Sequence, residues 1–148
     1  MAIIITVPNK FKLELGKGSV DFSSDTFKMI LMGSGFVFDP DTDGTYADIS
    51  ADEITSAGGY TVGGTALTVD SAWAQDNAND KATIAWNNCT FTASGADYDT
   101  FCAGVIVHTI DATTDTTDLV VCCIAIGTDI DVTDGLSFIF QTLGYDEN

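Results

Sequence analysis

The chain is built of short apolar runs separated by polar residues and glycine. Eight runs rich in β-branched and aromatic residues recur along its 148 residues, with clusters of Gly, Asp, Asn and Thr between them. Short runs at this spacing, with turn residues between them, are typical of a β-sandwich or β-barrel. The predicted strands are Ile3–Val7, Thr26–Met32, Thr65–Val69, Ala82–Trp86, Thr90–Ala93, Phe101–Ile110, Leu119–Ile126 and Leu136–Gln141.

The runs differ in how many of their faces are apolar. Val105–Ile110 and Leu119–Ile126 are apolar at odd and even positions alike, so both are predicted as central strands that are buried on two faces. The polar stretch Asp111–Asp118 between them predicts an exposed hairpin loop. In Ala82–Trp86 the residues alternate, and Trp86 lies on the apolar face. We therefore expect an all-β, single-domain sandwich or jelly-roll-like fold with one or two short helices.

Two short helices interrupt the predicted strands. The segment Pro8–Leu15 begins with proline and is followed by Gly16, as a short helix would be, although its apolar residues alternate equally well as a strand. The segment Ser50–Glu53 fits a capping box that opens a turn or two of helix through about Ala57, with Gly58-Gly59 as its end.

The charge of the chain is strongly negative and unevenly distributed. Five lysines and no arginine stand against 22 acidic residues, a net charge of −17. Nucleic acids and anionic membranes would repel such a surface, so neither is an expected partner. Residues 1–28 carry a net +1, whereas residues 29–148 carry −18. We interpret residues 1–148 as one domain with an N-terminal docking segment, 1–28, and an acidic body, 29–148.

One motif resembles a metal-binding loop. Asp39, Asp41 and Asp43 occupy alternate positions and Gly44 follows, as at the start of an EF-hand calcium loop. The twelfth position is Ser50 rather than the bidentate glutamate that completes such a site. We therefore expect an exposed turn without a tightly held ion, and neither a metal site nor a cofactor.

Other residues that often carry chemistry have structural interpretations. The single histidine, His108, lies in an apolar strand, and we predict that it is buried and hydrogen-bonded rather than catalytic. The glycine-rich segment Gly58–Gly64 lacks the lysine and following helix of a phosphate-binding loop, so we expect a tight connection with Tyr60 packed inward. Trp73 and Trp86 could form a sugar platform, but the alternation of its strand favours the core for Trp86. We expect no enzymatic activity.

The four cysteines do not form a metal or disulfide pattern. No C-x-x-C is present, and Cys122 and Cys123 are adjacent, so on a strand they point to opposite faces. The apolar run Ile3–Val7 lacks the basic flank and cleavage pattern of a signal peptide. We therefore expect synthesis in a reducing cytoplasm and reduced thiols at Cys89, Cys102, Cys122 and Cys123.

Six blocks of sequence and two final hydrophobic strands follow one another along the chain. The blocks are Asn9–Lys12, Gly16–Leu31, Tyr46–Ile54, Gly59–Leu67, Ala82–Trp86 and Asn88–Gly95, followed by two hydrophobic strands. In this order they resemble the small β-rich virion structural proteins of tailed bacteriophages. The cysteines in the last strands depart from the aliphatic residues expected there. The resemblance implies a head or tail component without catalytic residues.

These observations lead to a structural rather than a chemical role. We expect a capsid decoration (cement) protein that is made in the host cytoplasm, resides in the virion and binds the major capsid protein or another virion protein. It would form a symmetric homo-oligomer, with a trimer favoured. The alternatives are a tail or head–tail connection component and, from another class, a calcium- or carbohydrate-binding β-module. The expected interface residues are Ile3, Ile4, Ile5, Val7, Lys10, Lys12 and Lys17.

Overall fold

The fold is all-β with two short helices, as the sequence predicts. The computed structural model describes residues 3–70, 74–79, 81–109, 116–141 and 143–147. The helices are α1 (Asn9–Gly16) and α2 (Tyr46–Ile49), and a turn of 3-10 helix, Ser50–Asp52, follows α2. The strands are β1 (Ile4–Thr6), β2 (Thr26–Gly33), β3 (Thr65–Leu67), β4 (Ala74–Asp76), β5 (Lys81–Trp86), β6 (Cys89–Thr92), β7 (Phe101–Thr109), β8 (Leu119–Ile130), β9 (Ser137–Phe140) and β10 (Leu143–Glu147).

The strands form one large sheet and two small ones. The large sheet is antiparallel and has the order β1-β8-β7-β2-β3, with the β7–β8 hairpin at its centre and β1 at one edge. The small sheets have the orders β10-β5-β4 and β6-β9. The predicted central strands therefore lie where the sequence placed them.

One face of the large sheet packs against the small sheets in a sandwich-like arrangement. We call this layer the inter-sheet core. Its layers approach closely at Gly104 in β7, where an added Cβ would lie 2.6 Å from Cζ of Phe140 in β9, so glycine lets the ring approach the sheet. The strand residues of this core include Phe27, Met29, Leu31, Trp86, Phe91, Ile106, Val121, Ile124, Ile126, Phe140 and Leu143.

The opposite face of the large sheet is covered by α2 and by the connection that precedes it. We call this layer the loop-side core. Its members are Ile30, Met32, Tyr46, Ile49, Ala103, Val105, Val107, Val120 and Cys123. Because β2, β7 and β8 contribute to both cores, their continuous apolar runs are explained by burial on two faces.

The structure adds two strands that the apolar pattern did not predict. The first, β4, is three residues long and includes Gln75 and Asp76. The second, β10, includes Gly144, Asp146 and Glu147, and it is held by antiparallel pairing with β5. Neither has an apolar run of its own, so their strand conformation depends on pairing across the sheet.

One helix lies at its predicted position and the other lies earlier than predicted. The sequence allows either a helix or a strand over Pro8–Leu15, and the structure has the helix α1 there. The predicted capping box at Ser50–Glu53 is wrong, because Glu53 is extended. The observed box belongs to α2, where the N–H and hydroxyl of Thr45 donate to the Asp48 carboxylate at 2.8 and 2.7 Å.

The loop between the two central strands is only partly exposed. Residues 110–115, and with them most of the predicted Asp111–Asp118 loop, lie outside the described residues. Thr116 and Thr117 form an exposed turn, but Asp118 is buried, and its carbonyl accepts a hydrogen bond from the backbone N–H of Tyr46 at 2.8 Å. The prediction of a fully exposed loop is wrong at Asp118, because α2 packs over this end of the hairpin.

Candidate interaction surface

The edge strand β1 leaves large apolar side chains in solvent. Ile3, Ile4 and Ile5 are 59%, 61% and 65% exposed. On one side β1 pairs with β8, with Ile5 opposite Ile124. On its other side the described chain supplies no strand. An apolar edge of this kind is a template for pairing with another chain. The predicted interface isoleucines thus lie together on one uncovered edge.

An apolar cavity opens beside this edge. It has a volume of about 300 Å³ and lies between the large sheet and the small sheets, at the β1 end of the inter-sheet core. Ile5 in β1 and its flanking residues Ile3 and Val7 line the cavity on one side. Ile124 and Ile126 line it from β8. The predicted interface residues Ile3, Ile5 and Val7 therefore form one continuous apolar surface with the lining of the cavity.

Trp86 forms part of the wall of this cavity. Its side chain is buried and its ring lies 5.2 Å from that of Phe27 and 6.0 Å from that of Phe22. The prediction that Trp86 belongs to the core is confirmed, and it does not present an exposed face to a sugar. Its indole Nε1–H has no acceptor within the described residues. Trp73 lies outside the described residues.

Of the predicted interface lysines, Lys10 and Lys12 lie on α1 and Lys17 directly follows it. The aliphatic stem of Lys10 covers Gly44, since a Cβ added there would lie 2.8 Å from Cβ of Lys10. The ammonium group of Lys12 lies 3.5 Å from the side-chain oxygen of Asn9. Lys17 pairs with Glu14 at 2.9 Å, and this hydrogen bond lowers the pKa of the Glu14 carboxyl. All three lysines are exposed.

The acidic loop at Asp39–Gly44 satisfies its own backbone. Asp39 accepts from the N–H of Asp41 at 2.9 Å, and Asp43 accepts from the N–H of Asp39 at 2.8 Å. The Asp41 carboxylate accepts from the Asn9 side chain at 2.6 Å. These are the bonds of an Asx-rich turn. Asp39 and Asp41 are exposed as predicted, but Asp43 is half-buried and Gly44 is buried under Lys10, so the prediction of an exposed turn is wrong at its end. The loop is fastened to α1, so the acidic loop and the docking segment are neighbours rather than opposite ends.

Metal-ligating groups are dispersed in the part of the chain that the structure describes. No group of three or more His, Cys, Asp or Glu side chains there is arranged to hold a metal ion.

Glu53, predicted only as the end of a capping box, joins three segments of the chain through its carboxylate. Its carboxylate accepts hydrogen bonds from the hydroxyls of Tyr46, at 2.5 Å, and Tyr60, and from the N–H of Gly63 at 2.8 Å. Burial and the adjacent carboxylate raise the pKa of both tyrosines. Tyr60 also accepts from the N–H of Leu31 at 3.1 Å, which fastens the glycine-rich connection to β2.

The only sequence signal for this cluster is the spacing of the two tyrosines, each seven residues from Glu53. The predicted inward packing of Tyr60 is confirmed.

The single histidine has a structural environment. His108 is buried in β7, and its Nε2 lies 2.7 Å from a carboxylate oxygen of Asp25. Its ring packs against Phe27 at a centroid distance of 5.3 Å. The prediction of a buried, hydrogen-bonded histidine is confirmed.

The four cysteines are free thiols at four separate positions. Cys122 packs against the inter-sheet core and Cys123 belongs to the loop-side core, so the prediction that they face opposite sides of the sheet is confirmed. Burial raises the pKa of both thiols to about 12. Cys102 and Cys123 line a second cavity of about 300 Å³ on the loop side.

Comparisons with known proteins leave this surface to be interpreted from its own geometry. The chain matches no protein-family model, no curated protein and no solved structure. Within the described residues, no helix is both long enough and apolar enough to cross a membrane.

Proposed function

We propose that this chain is a structural protein of a bacteriophage virion, and that it decorates the capsid by docking through residues 1–28. The observation that carries the proposal is the uncovered apolar edge β1, which adjoins an apolar cavity. Each isoleucine buried at an interface contributes roughly 1.5–3 kcal/mol. A surface component present in many copies needs such a contact together with an otherwise soluble, acidic body.

The proposed role is binding rather than catalysis. His108, the residue most suited to general-base chemistry, is buried and occupied by Asp25. The alternatives of a calcium module and a glycan-binding module receive no support. Asp39 and Asp43 accept backbone hydrogen bonds within their loop, Asp41 accepts from Asn9 on α1, and Trp86 lies in the core. A tail or head–tail connection component uses the same surface and differs in copy number.

The decisive experiment removes the edge strand and measures incorporation into virions. Met1–Val7 would be deleted, with a new initiator methionine placed before Pro8, and the chain would be quantified by mass spectrometry in purified virions. We expect loss of incorporation, while circular dichroism and a cooperative melt show a folded body. Full occupancy by the truncated chain would place the docking surface elsewhere.

Copy number separates the structural alternatives. Hundreds of copies per virion indicate a head or tube component, and a handful indicate a connector. A matched control for the truncation is Leu136→Lys, which replaces an exposed apolar side chain outside residues 1–28 and should leave incorporation unchanged. Absence of the full-length chain from purified virions would contradict the proposed function altogether.

A further inference from the structure

We propose that two copies of this chain associate by antiparallel pairing of their β1 strands about a twofold axis at Ile5. This pairing rests on the proposed function, in which residues 1–28 form the docking surface. It identifies the neighbour at that surface as a second copy of the chain. The pairing would join two five-stranded sheets into one continuous sheet.

The backbone of β1 suits such a pairing. One side of the strand is bonded to β8, and on the other side no strand of the described chain competes for the backbone groups of Ile3–Val7. Pro8 has no backbone N–H to donate, so the ladder ends at Val7. The available edge is therefore five residues long and has a defined end.

The side chains of this segment are self-complementary. An antiparallel register centred on Ile5 sets Ile5 opposite its own copy and Ile3 opposite Val7. Paired residues in neighbouring strands share a face of the sheet. All three line the apolar cavity in the single chain. The second copy thus adds three apolar side chains to that face, and the same holds in reverse, as a twofold contact requires.

Charge favours the antiparallel direction. The antiparallel pair sends the two α1 helices, which carry Lys10 and Lys12, to opposite ends of the joined strands. A parallel pair would instead bring the two α1 helices, and their lysines, side by side. The lysines of the two copies therefore stay apart only in the antiparallel pair.

The distribution of charge also favours a contact between the N-terminal segments of the two copies. Residues 1–28 carry a net +1, whereas residues 29–148 carry −18, so two copies repel each other least when they meet through the N-terminal segment. A twofold contact closes at two copies. The contact therefore gives a dimer rather than the trimer that the sequence favoured.

Sedimentation equilibrium and light scattering on the purified full chain test the pairing. We expect a mass of twice 15.6 kDa at micromolar concentrations. Ile5→Lys sets two ammonium groups against each other at the axis and should weaken the dimer by at least about tenfold. Val37→Lys is the matched control, because Val37 is 84% exposed on the loop side, and it should leave the dimer unchanged. Circular dichroism and a cooperative melt check the folding of both variants.

A monomeric wild type, or an oligomer indifferent to Ile5→Lys, would overturn the proposal. These measurements use no capsid. A chain that is incorporated into virions but does not dimerise contradicts only the pairing, whereas a chain that dimerises but is absent from virions contradicts only the decoration role.

Discussion

Two apolar segments of this chain have similar composition and opposite environments. In β7, Val105, Ile106 and Val107 are at most 2% exposed, whereas Ile3, Ile4 and Ile5 around β1 are all more than half exposed. The central strand has a neighbour on each side and a core on each face. The edge strand has one neighbour, β8, and no layer that covers its side chains completely. An apolar run thus indicates that a strand requires cover, but the position in the sheet decides whether the same chain supplies it.

The largest expected effect tests this contrast directly. Ile106→Ala in β7 should lower the free energy of unfolding by about 2–5 kcal/mol, because it leaves a cavity in the inter-sheet core. Ile4→Ala in β1 is the matched control and should change it by less than about 0.5 kcal/mol. Urea denaturation at a protein concentration too low for association measures both values. Equal losses would show that β1 is covered within the single chain.

A second prediction concerns the half-buried carboxylate of Glu53, between the large sheet and its connections. Glu53→Ala removes the acceptor of two tyrosine hydroxyls and one backbone N–H, and we expect a loss of about 3 kcal/mol. Thr55→Ala removes only the hydroxyl that donates to Asp99 on the exposed surface, and it should cost less than about 1 kcal/mol. Urea denaturation would again measure the difference. A similar loss of unfolding free energy in both variants would mean that the hydrogen bonds to Glu53 stabilise the fold no more than one surface hydrogen bond does.

A third prediction uses the thiols on the two faces of β8. Burial raises the pKa of Cys122 and Cys123 in the folded state from an ordinary 9 to about 12. Their contribution to stability is therefore complete below pH 9 and is lost as the pH rises toward 12. Between pH 8 and pH 11 the wild type should lose at least about 1 kcal/mol more than a Cys122→Ala/Cys123→Ala variant.

The wild type and the double variant contain the same tyrosines, so the difference between their pH profiles excludes the effect of tyrosine ionisation. Identical pH profiles would show that these thiols ionise freely and are not buried as the structure has them. A thiol count in denaturant without reductant should independently give four free thiols, as expected from the sequence.

The smallest expected effect is at the acidic loop beside the docking segment. Calorimetric titration with calcium at physiological ionic strength should show no saturable site tighter than about 1 mM, the weak range for such loops. The physical reason is that Asp39 and Asp43 already accept backbone hydrogen bonds within the loop. A micromolar site that disappears in Asp41→Ala would promote the calcium-module alternative.

Local sequence patterns determined much of the fold and some of the candidate surface. Continuous apolar runs identified β7 and β8 as central strands because burial on two faces leaves no polar position. Alternation placed Trp86 in the core, and proline followed by glycine marked α1. The sequence also predicts an interface at Ile3, Ile4, Ile5 and Val7, because an apolar strand left in solvent is unfavourable.

Tertiary structure alone decided the features that depend on residues far apart in the chain. The strand β10 exists through its pairing with β5, and Asp118 is buried because α2 covers it. Glu53 accepts hydrogen bonds from Tyr46 in α2 and from Tyr60 in the glycine-rich connection. A local pattern reports what a segment requires, whereas these contacts depend on how separate segments share one sheet and its two covering layers.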